Sequence, residues 1–172
     1  RETGERRRGP STGRTMATNR RDLIRMTDAE LATFVEEQKS LQVACHERDG
    51  SIHLSTLWFA VVDDLLAFGT YSKSQKILNL QRDDRITVLL EDGETYETLR
   101  GAMIKGRAVL RGSDNPDGVR EVARAVMRRN QPEIPDEFFE EALESWAAKR
   151  TAVLIRPEKV ISWDHTKLDG IY

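Results

Sequence analysis

The sequence predicts a mainly antiparallel β-barrel with peripheral helices. Apolar segments arrive first as hairpins joined by short turns, without the helical crossovers that parallel strands need. A long fifth strand carries two interior glycines, Gly101 and Gly106, the mark of a strand that bends or lets another backbone come close. The helical patterns sit together between the fifth strand and a final pair of strands rather than alternating with single strands.

The elements follow in order. Thr27-Asp28-Ala29-Glu30 is a capping box, with Thr at the N-cap and Glu three residues on. Leu31, Phe34 and Val35 then mark one face of a short helix reaching about Lys39. Leu41 to Glu47 alternates as a strand, and Asp49-Gly50 reads as a two-residue hairpin turn. Ile52 to Val62 is the return strand, Asp63-Asp64 a second tight turn, and Leu65–Gly69 the third strand. A helix over 74–82 follows, then a fourth strand from Arg85 to Glu91 and a fifth from Leu99 to Leu110. Asn115-Pro116-Asp117-Gly118 stops that strand. Val119, Val122, Ala123 and Val126 mark a helix to about Arg129, and Asp136 caps another that carries Phe139, Leu143 and Trp146. Thr151–Ile155 and Lys159–Asp164 close the chain as two strands about a turn at Pro157-Glu158.

Composition bounds the function. The 172 residues are 38% apolar and 33% charged, enough for one core. The longest apolar run, Leu57 to Val62, is far short of the roughly 20 residues of a membrane helix. The single Cys45 rules out an internal disulfide framework, suits a reducing cytoplasm, and lies in an alternating strand as a small core residue. Residues 1–21 hold seven arginines against two glutamates on a chain of net charge −2. They read as a disordered basic leader before a single domain over 22–172, with nucleic acid as the other reading of the arginines and Met16 as a candidate start. No apolar stretch follows the arginines as a secretory signal would require.

The chemistry narrows by elimination and then by one positive signal. Gly101–Arg107 lacks the Lys-Ser/Thr of a phosphate loop, and no G-x-G-x-x-G or G-x-S-x-G occurs. His46, His53 and His165 are scattered, so no metal site is expected. What remains is Thr70-Tyr71-Ser72-Lys73-Ser74-Gln75-Lys76, where a strand turns into a helix. Hydroxyls, unpaired amides and two lysines there make either a solvated helix start or an anion site. The barrel-mouth position favours the anion site. Lys105 and Arg107, on one strand face, either point toward the same region or are surface charge. Thr56-Leu57-Trp58-Phe59 offers apolar walls for a planar ring, or core.

Taken as an ordered set, these pieces resemble the pyridoxamine-phosphate-oxidase-like superfamily of split β-barrel flavoproteins. The set is Ser55-Thr56-Leu57-Trp58-Phe59, Ser72–Arg85, Glu91–Tyr96, Leu99-Arg100-Gly101 with Gly106-Arg107-Ala108, and Ser162–Leu168. It is most similar to the branch that uses the deazaflavin coenzyme F-420. The resemblance implies an α+β split barrel and a cytoplasmic homodimer with the cofactor between subunits. Ser72, Lys73, Ser74, Gln75 and Lys76, flanked by Tyr71 and Asn79, would hold its phosphate. Ser55, Thr56, Leu57 and Trp58 would line its ring, and the partner's segment equivalent to Trp163-Asp164-His165 would complete the groove. The implied activity is hydride transfer to an electron-poor small molecule such as an enone, quinone or tetrapyrrole. No side chain is assigned a catalytic role, since the cofactor carries the chemistry. The arginine-rich pattern of the FMN oxidases is absent, which leaves FMN as the alternative cofactor. A non-catalytic carrier or sensor of flavin, deazaflavin or haem is the alternative function.

Overall fold

The structure, a computed structural model, describes residues 19–169. The leader's first eighteen residues lie outside them, while Arg20 and Arg21 already belong to a short helix, α1 (Arg20–Ile24). Helix α2 spans Asp28–Glu37 and begins at the expected capping box: Thr27 Oγ1 accepts from the Glu30 amide, and Glu30 accepts from the Thr27 amide.

Seven strands form one antiparallel sheet: β1 (Ser40–His46), β2 (Ile52–Trp58), β3 (Ala60–Val62), β4 (Leu65–Tyr71), β5 (Arg85–Asp92), β6 (Arg100–Arg111) and β7 (Arg150–Asp164). Their order is β2-β1-β5-β6-β7-β4-β3. The chain neighbours β2 and β3 therefore stand at opposite edges of the sheet, yet only Phe59 separates them. One residue cannot span seven strands of about 4.8 Å spacing unless the sheet curls until its edges meet. The result is the antiparallel barrel read from the hairpin pattern, in the split form that the resemblance implies.

Three local expectations change. The first hairpin closes through Arg48-Asp49-Gly50, because the Glu47 amide donates to the Ser51 carbonyl at 2.9 Å and Gly50 takes φ +87°. It is a three-residue loop with glycine in the left-handed region, not a two-residue turn. The return strand breaks at Phe59, where β2 leaves β1 and β3 pairs with β4 instead. The last two strands are one: β7 runs unbroken beside β6, and Pro157 sits at a register shift opposite Gly106. A Cβ on Gly106 would lie 2.1 Å from the Arg156 carbonyl, so this is a bulge with the backbones pressed together rather than a turn. Pro157 costs no ladder bond on its other side, since β4 pairs only as far as Ile155.

The core explains the apolar runs. Phe34, Leu41, Val43, Phe68, Ile86, Val88, Leu90 and Val153 fill the barrel interior, and Leu31 and Val35 of α2 pack against it. Cys45 of β1 belongs to the same cluster, 2% exposed, its thiol pKa raised chiefly by burial, as a core residue should be. Strand β4 and the start of β7 are covered on both faces. Ala67, Ala152 and Leu154 point away from the interior, against Val122 and Val126 of α4 (Pro116–Asn130). Strands buried on both sides lose the alternating pattern, as Leu65–Gly69 and Thr151–Ile155 do. Helix α5 (Asp136–Ala147) packs Phe139 and Leu143 against Ala123 and Met127 of α4. Arg129 ties this helical pair to α2 by donating to the carbonyls of Val35, Glu36 and Gln38 at the helix C-terminus.

Candidate functional site

Helix α3 (Gln75–Arg82) starts two residues beyond the turn that ends β4. Ser74 is its N-cap and accepts from the Ile77 amide at 3.4 Å. The Ser72 amide donates to the Lys149 carbonyl, and the Ser72 hydroxyl accepts from Thr151 Oγ1 at 2.9 Å. Both serine oxygens accept within the turn, and their O–H groups donate to no acceptor among the described residues. The amides of Lys73, Gln75 and Lys76 meet no acceptor among the described residues. They are donors at the positive end of a helix dipole.

Lys73 and Gln75 are exposed, whereas Lys76 is only 5% exposed. Burial pushes the Lys76 amine below the ordinary lysine range, and no carboxylate offsets it; the Cys45 thiol acts weakly the other way. A buried, unpaired cation is costly unless something anionic joins it. Asn79 is placed differently from its neighbours. It is fully buried, accepts from Gln75 Nε2 at 2.9 Å and from Arg82, and directs its amide nitrogen toward Cys45 Sγ. It braces α3 on the sheet, and the structure does not bring it to the open side of the turn.

Strand β2 splits its four candidates by parity. Ser55 and Leu57 stand opposite Val43 and Leu41, on the core face. Ser55 Oγ is buried with no hydrogen-bond partner. Thr56 and Trp58 point outward. They line a cleft of about 420 Å³ with Ser40, Leu57, Gly69, Val126, Trp146 and Arg150.

Arg150 and Trp146 are what the sequence reading missed. Arg150 pairs in register with Tyr71. Its guanidinium lies 4.5 Å from the Tyr71 ring centroid and 4.4 Å from the Trp146 ring, and it donates to the Trp146 carbonyl. This stack joins the cleft to the Ser72–Lys76 turn. Gly69 makes it possible: a Cβ there would lie 2.0 Å from Trp146 Cη2, so only glycine lets the indole lie on the strand. The signal available in sequence was the interior glycine of β4, but nothing local paired it with a tryptophan 77 positions away.

Other candidates fall elsewhere. Arg107 is held by Asp84 and Glu158, and with Lys105 it lines a separate cavity of about 360 Å³. Trp163 lies against Gly101, and His165 Nδ1 sits 2.8 Å from the Tyr96 carbonyl oxygen at the end of β7. A larger cavity of about 750 Å³ runs along α4, but its arginines 111, 120, 124 and 128 are all neutralised by carboxylates. No group of three metal-ligating side chains occurs among the described residues.

The chemistry of the Ser72–Lys76 donor set therefore fits a phosphate-like anion, and the aromatic stack beside it fits a planar ring. The set contains no carboxylate or histidine to act as acid or base, so reactivity would have to come from a bound group.

Comparison with known proteins bears on the family and the fold. The family model described as pyridoxamine 5'-phosphate oxidase matches residues 27–164. Among solved structures, the conserved hypothetical protein Rv2991 from Mycobacterium tuberculosis is 38% identical, covering 85% of this chain and 89% of that one, with a TM-score of 0.79. An F420 reductase is 18% identical over 74% of this chain and 93% of its own, TM-score 0.58. HutZ, the haem storage protein from Vibrio cholerae, is 15% identical over 78% and 94%, TM-score 0.60. No curated protein matches. The chain belongs to the pyridoxamine 5'-phosphate oxidase family.

Proposed function

We propose that this protein is an oxidoreductase that binds the deazaflavin coenzyme F-420 and reduces a small electron-poor organic substrate of the enone, quinone or tetrapyrrole class. The observation that carries the reading is the start of α3: the amides of Lys73, Gln75 and Lys76 meet no acceptor among the described residues, and Lys76, a largely buried residue, has no carboxylate beside its amine. That arrangement asks for an anion.

In this reading Lys76 and the amides of Lys73, Gln75 and Lys76 neutralise the cofactor phosphate. Trp58, Thr56 and Leu57 form one wall of the ring site, and Arg150, clamped between Tyr71 and Trp146, orients the ring edge. Ser55, on the core face of β2, stands behind that wall. The bound deazaflavin supplies the hydride. Solvent returns the proton, which is why no acid or base is needed in the donor set. A second copy of the chain would close the groove: Ile52, Leu54 and Trp58 project from the outer face of β2 at 57%, 67% and 50% exposure, an apolar row that association would cover.

The test is a fluorescence titration of the purified protein with F-420, with FMN titrated in parallel. Saturable F-420 binding in the micromolar range or tighter, with weak FMN binding, is expected. No change at tens of micromolar F-420 refutes the reading. A yellow protein carrying FMN assigns the site to that cofactor instead.

A further inference from the structure

The opposite end of β4 carries a second cavity that the proposed cofactor site does not use. It measures about 610 Å³, within the range of small-molecule sites, and lies between α2 and the barrel. Leu66, Ile104 and Ile155 form its floor; Leu31 and Val35 of α2 and Val61, Leu65 and Val160 form its walls. It shares no lining residue with the cleft at Trp58 and Arg150. Leu66 and Thr70 lie about 13 Å apart along the strand, taking roughly 3.3 Å per residue.

The gap has a structural origin. Strand β4 pairs with β7 only up to Ile155, so the second half of β7 has no neighbour on that side. Helix α2 bridges the opening without filling it. Close-packed interiors do not leave an apolar space of this size without cost.

The rim gives the occupant its charge. Asp28, Glu36 and Asp64 line the cavity, and among the described residues no lysine, arginine or histidine does. Glu36 is already paired with Arg129. Asp28 and Asp64 form no ion pair among the described residues. Asp64 stands in the left-handed region, φ +61°, at the β3–β4 turn, which places its carboxylate on the cavity edge.

We propose that this cavity is a second ligand site, for a small molecule with an apolar body and one cationic nitrogen. The body fills the space between α2 and the barrel, and the nitrogen meets the Asp64 carboxylate at the rim.

Three probes of one shape test it by calorimetry on the full chain: 1-naphthylmethylamine, 1-naphthalenemethanol and 1-naphthoate. The amine should bind at least tenfold more tightly than the alcohol, and the carboxylate most weakly. Ala32→Trp, an exposed lining position, should abolish binding of all three. Asp64→Asn should bring the amine to within about threefold of the alcohol; asparagine tolerates the left-handed backbone, so the turn survives. Lys76→Met should leave amine binding unchanged, which separates this site from the cofactor site. The inference is overturned if no probe saturates, if naphthoate binds as tightly as the amine, or if Asp64→Asn leaves the preference intact.

Discussion

Replacing Lys76 by methionine should weaken cofactor binding and strengthen the cofactor-free fold at once. The residue is 5% exposed and its amine has no carboxylate partner, so the empty protein bears the cost of partly desolvating it. Methionine keeps the length and apolar character of the stem and removes the charge. Urea unfolding of the cofactor-free variant should show a higher midpoint with an unchanged slope. The same change deletes one charge-assisted hydrogen bond to the phosphate, about 1.5–3 kcal/mol, or roughly 10- to 150-fold in Kd. The pH dependence follows from the same burial. A lysine whose folded pKa lies below its unfolded value binds fewer protons folded than unfolded between the two. Stability of the empty wild type should therefore rise with pH from the lowered pKa toward 10.5, and this rise should vanish in Lys76→Met. Cofactor affinity should fall over that same interval, because the anion needs the charged amine. Fluorescence titration and urea melts across pH 7–10.5 read both. Loss of stability together with unchanged cofactor affinity would show that Lys76 is a packing residue and that the anion site lies elsewhere.

Further outcomes follow from other contacts. Gly69→Ala places a methyl 2.0 Å from Trp146 Cη2 and should expel the indole, costing about 1–3 kcal/mol by urea unfolding and shifting tryptophan emission to the red; an unshifted spectrum would contradict the stack. Phe139→Ala empties the α4–α5 core, where the ring is fully buried under the Arg128 guanidinium at 3.5 Å, and should cost about 3–5 kcal/mol in the same melt. Thr27→Ala removes the α2 N-cap and should cost about 1 kcal/mol by thermal or urea melting. The Lys167 ammonium, first, and the Thr27 amide hold the Glu30 carboxyl below 4.5, so this contribution is present above that pH and is lost as pH falls below it; an acid titration of wild type and Glu30→Gln compares the two. Leu54→Lys, on the exposed row of β2, should turn a dimer into a monomer in sedimentation velocity if the outer face is the subunit contact.

Features made by neighbouring residues were legible in the chain. The Thr27–Glu30 capping box, the α3 N-cap at Ser74, the Asp63-Asp64 turn with both φ positive, and the helical faces of α4 and α5 all rest on contacts a few residues apart. The strand count of seven also agrees, but through two compensating differences: the return strand divides at Phe59, and the last two strands merge across the Pro157 bulge. Neither is a local event. Each depends on which distant strand offers a hydrogen-bonding edge, and proline or aspartate near a strand end looks the same in sequence whether the chain turns or bulges.

The sequence by itself determined the antiparallel barrel, the helix start at Ser72–Lys76 and the family resemblance, because periodicity, caps and turn residues act over a few positions. Only the tertiary structure decided which polar groups have partners and which do not. The Ser72 and Ser74 hydroxyls accept from Thr151 and Ile77, Asn79 braces the core, and Lys76 is largely buried with no carboxylate beside its amine. It also brought Arg150 and Trp146 to the site, since a close approach at Gly69 forms only when β4 pairs with β7 and α5 folds back over both. Burial and pairing are properties of the assembled sheet, so they appear only once residues far apart in the chain come together and exclude water.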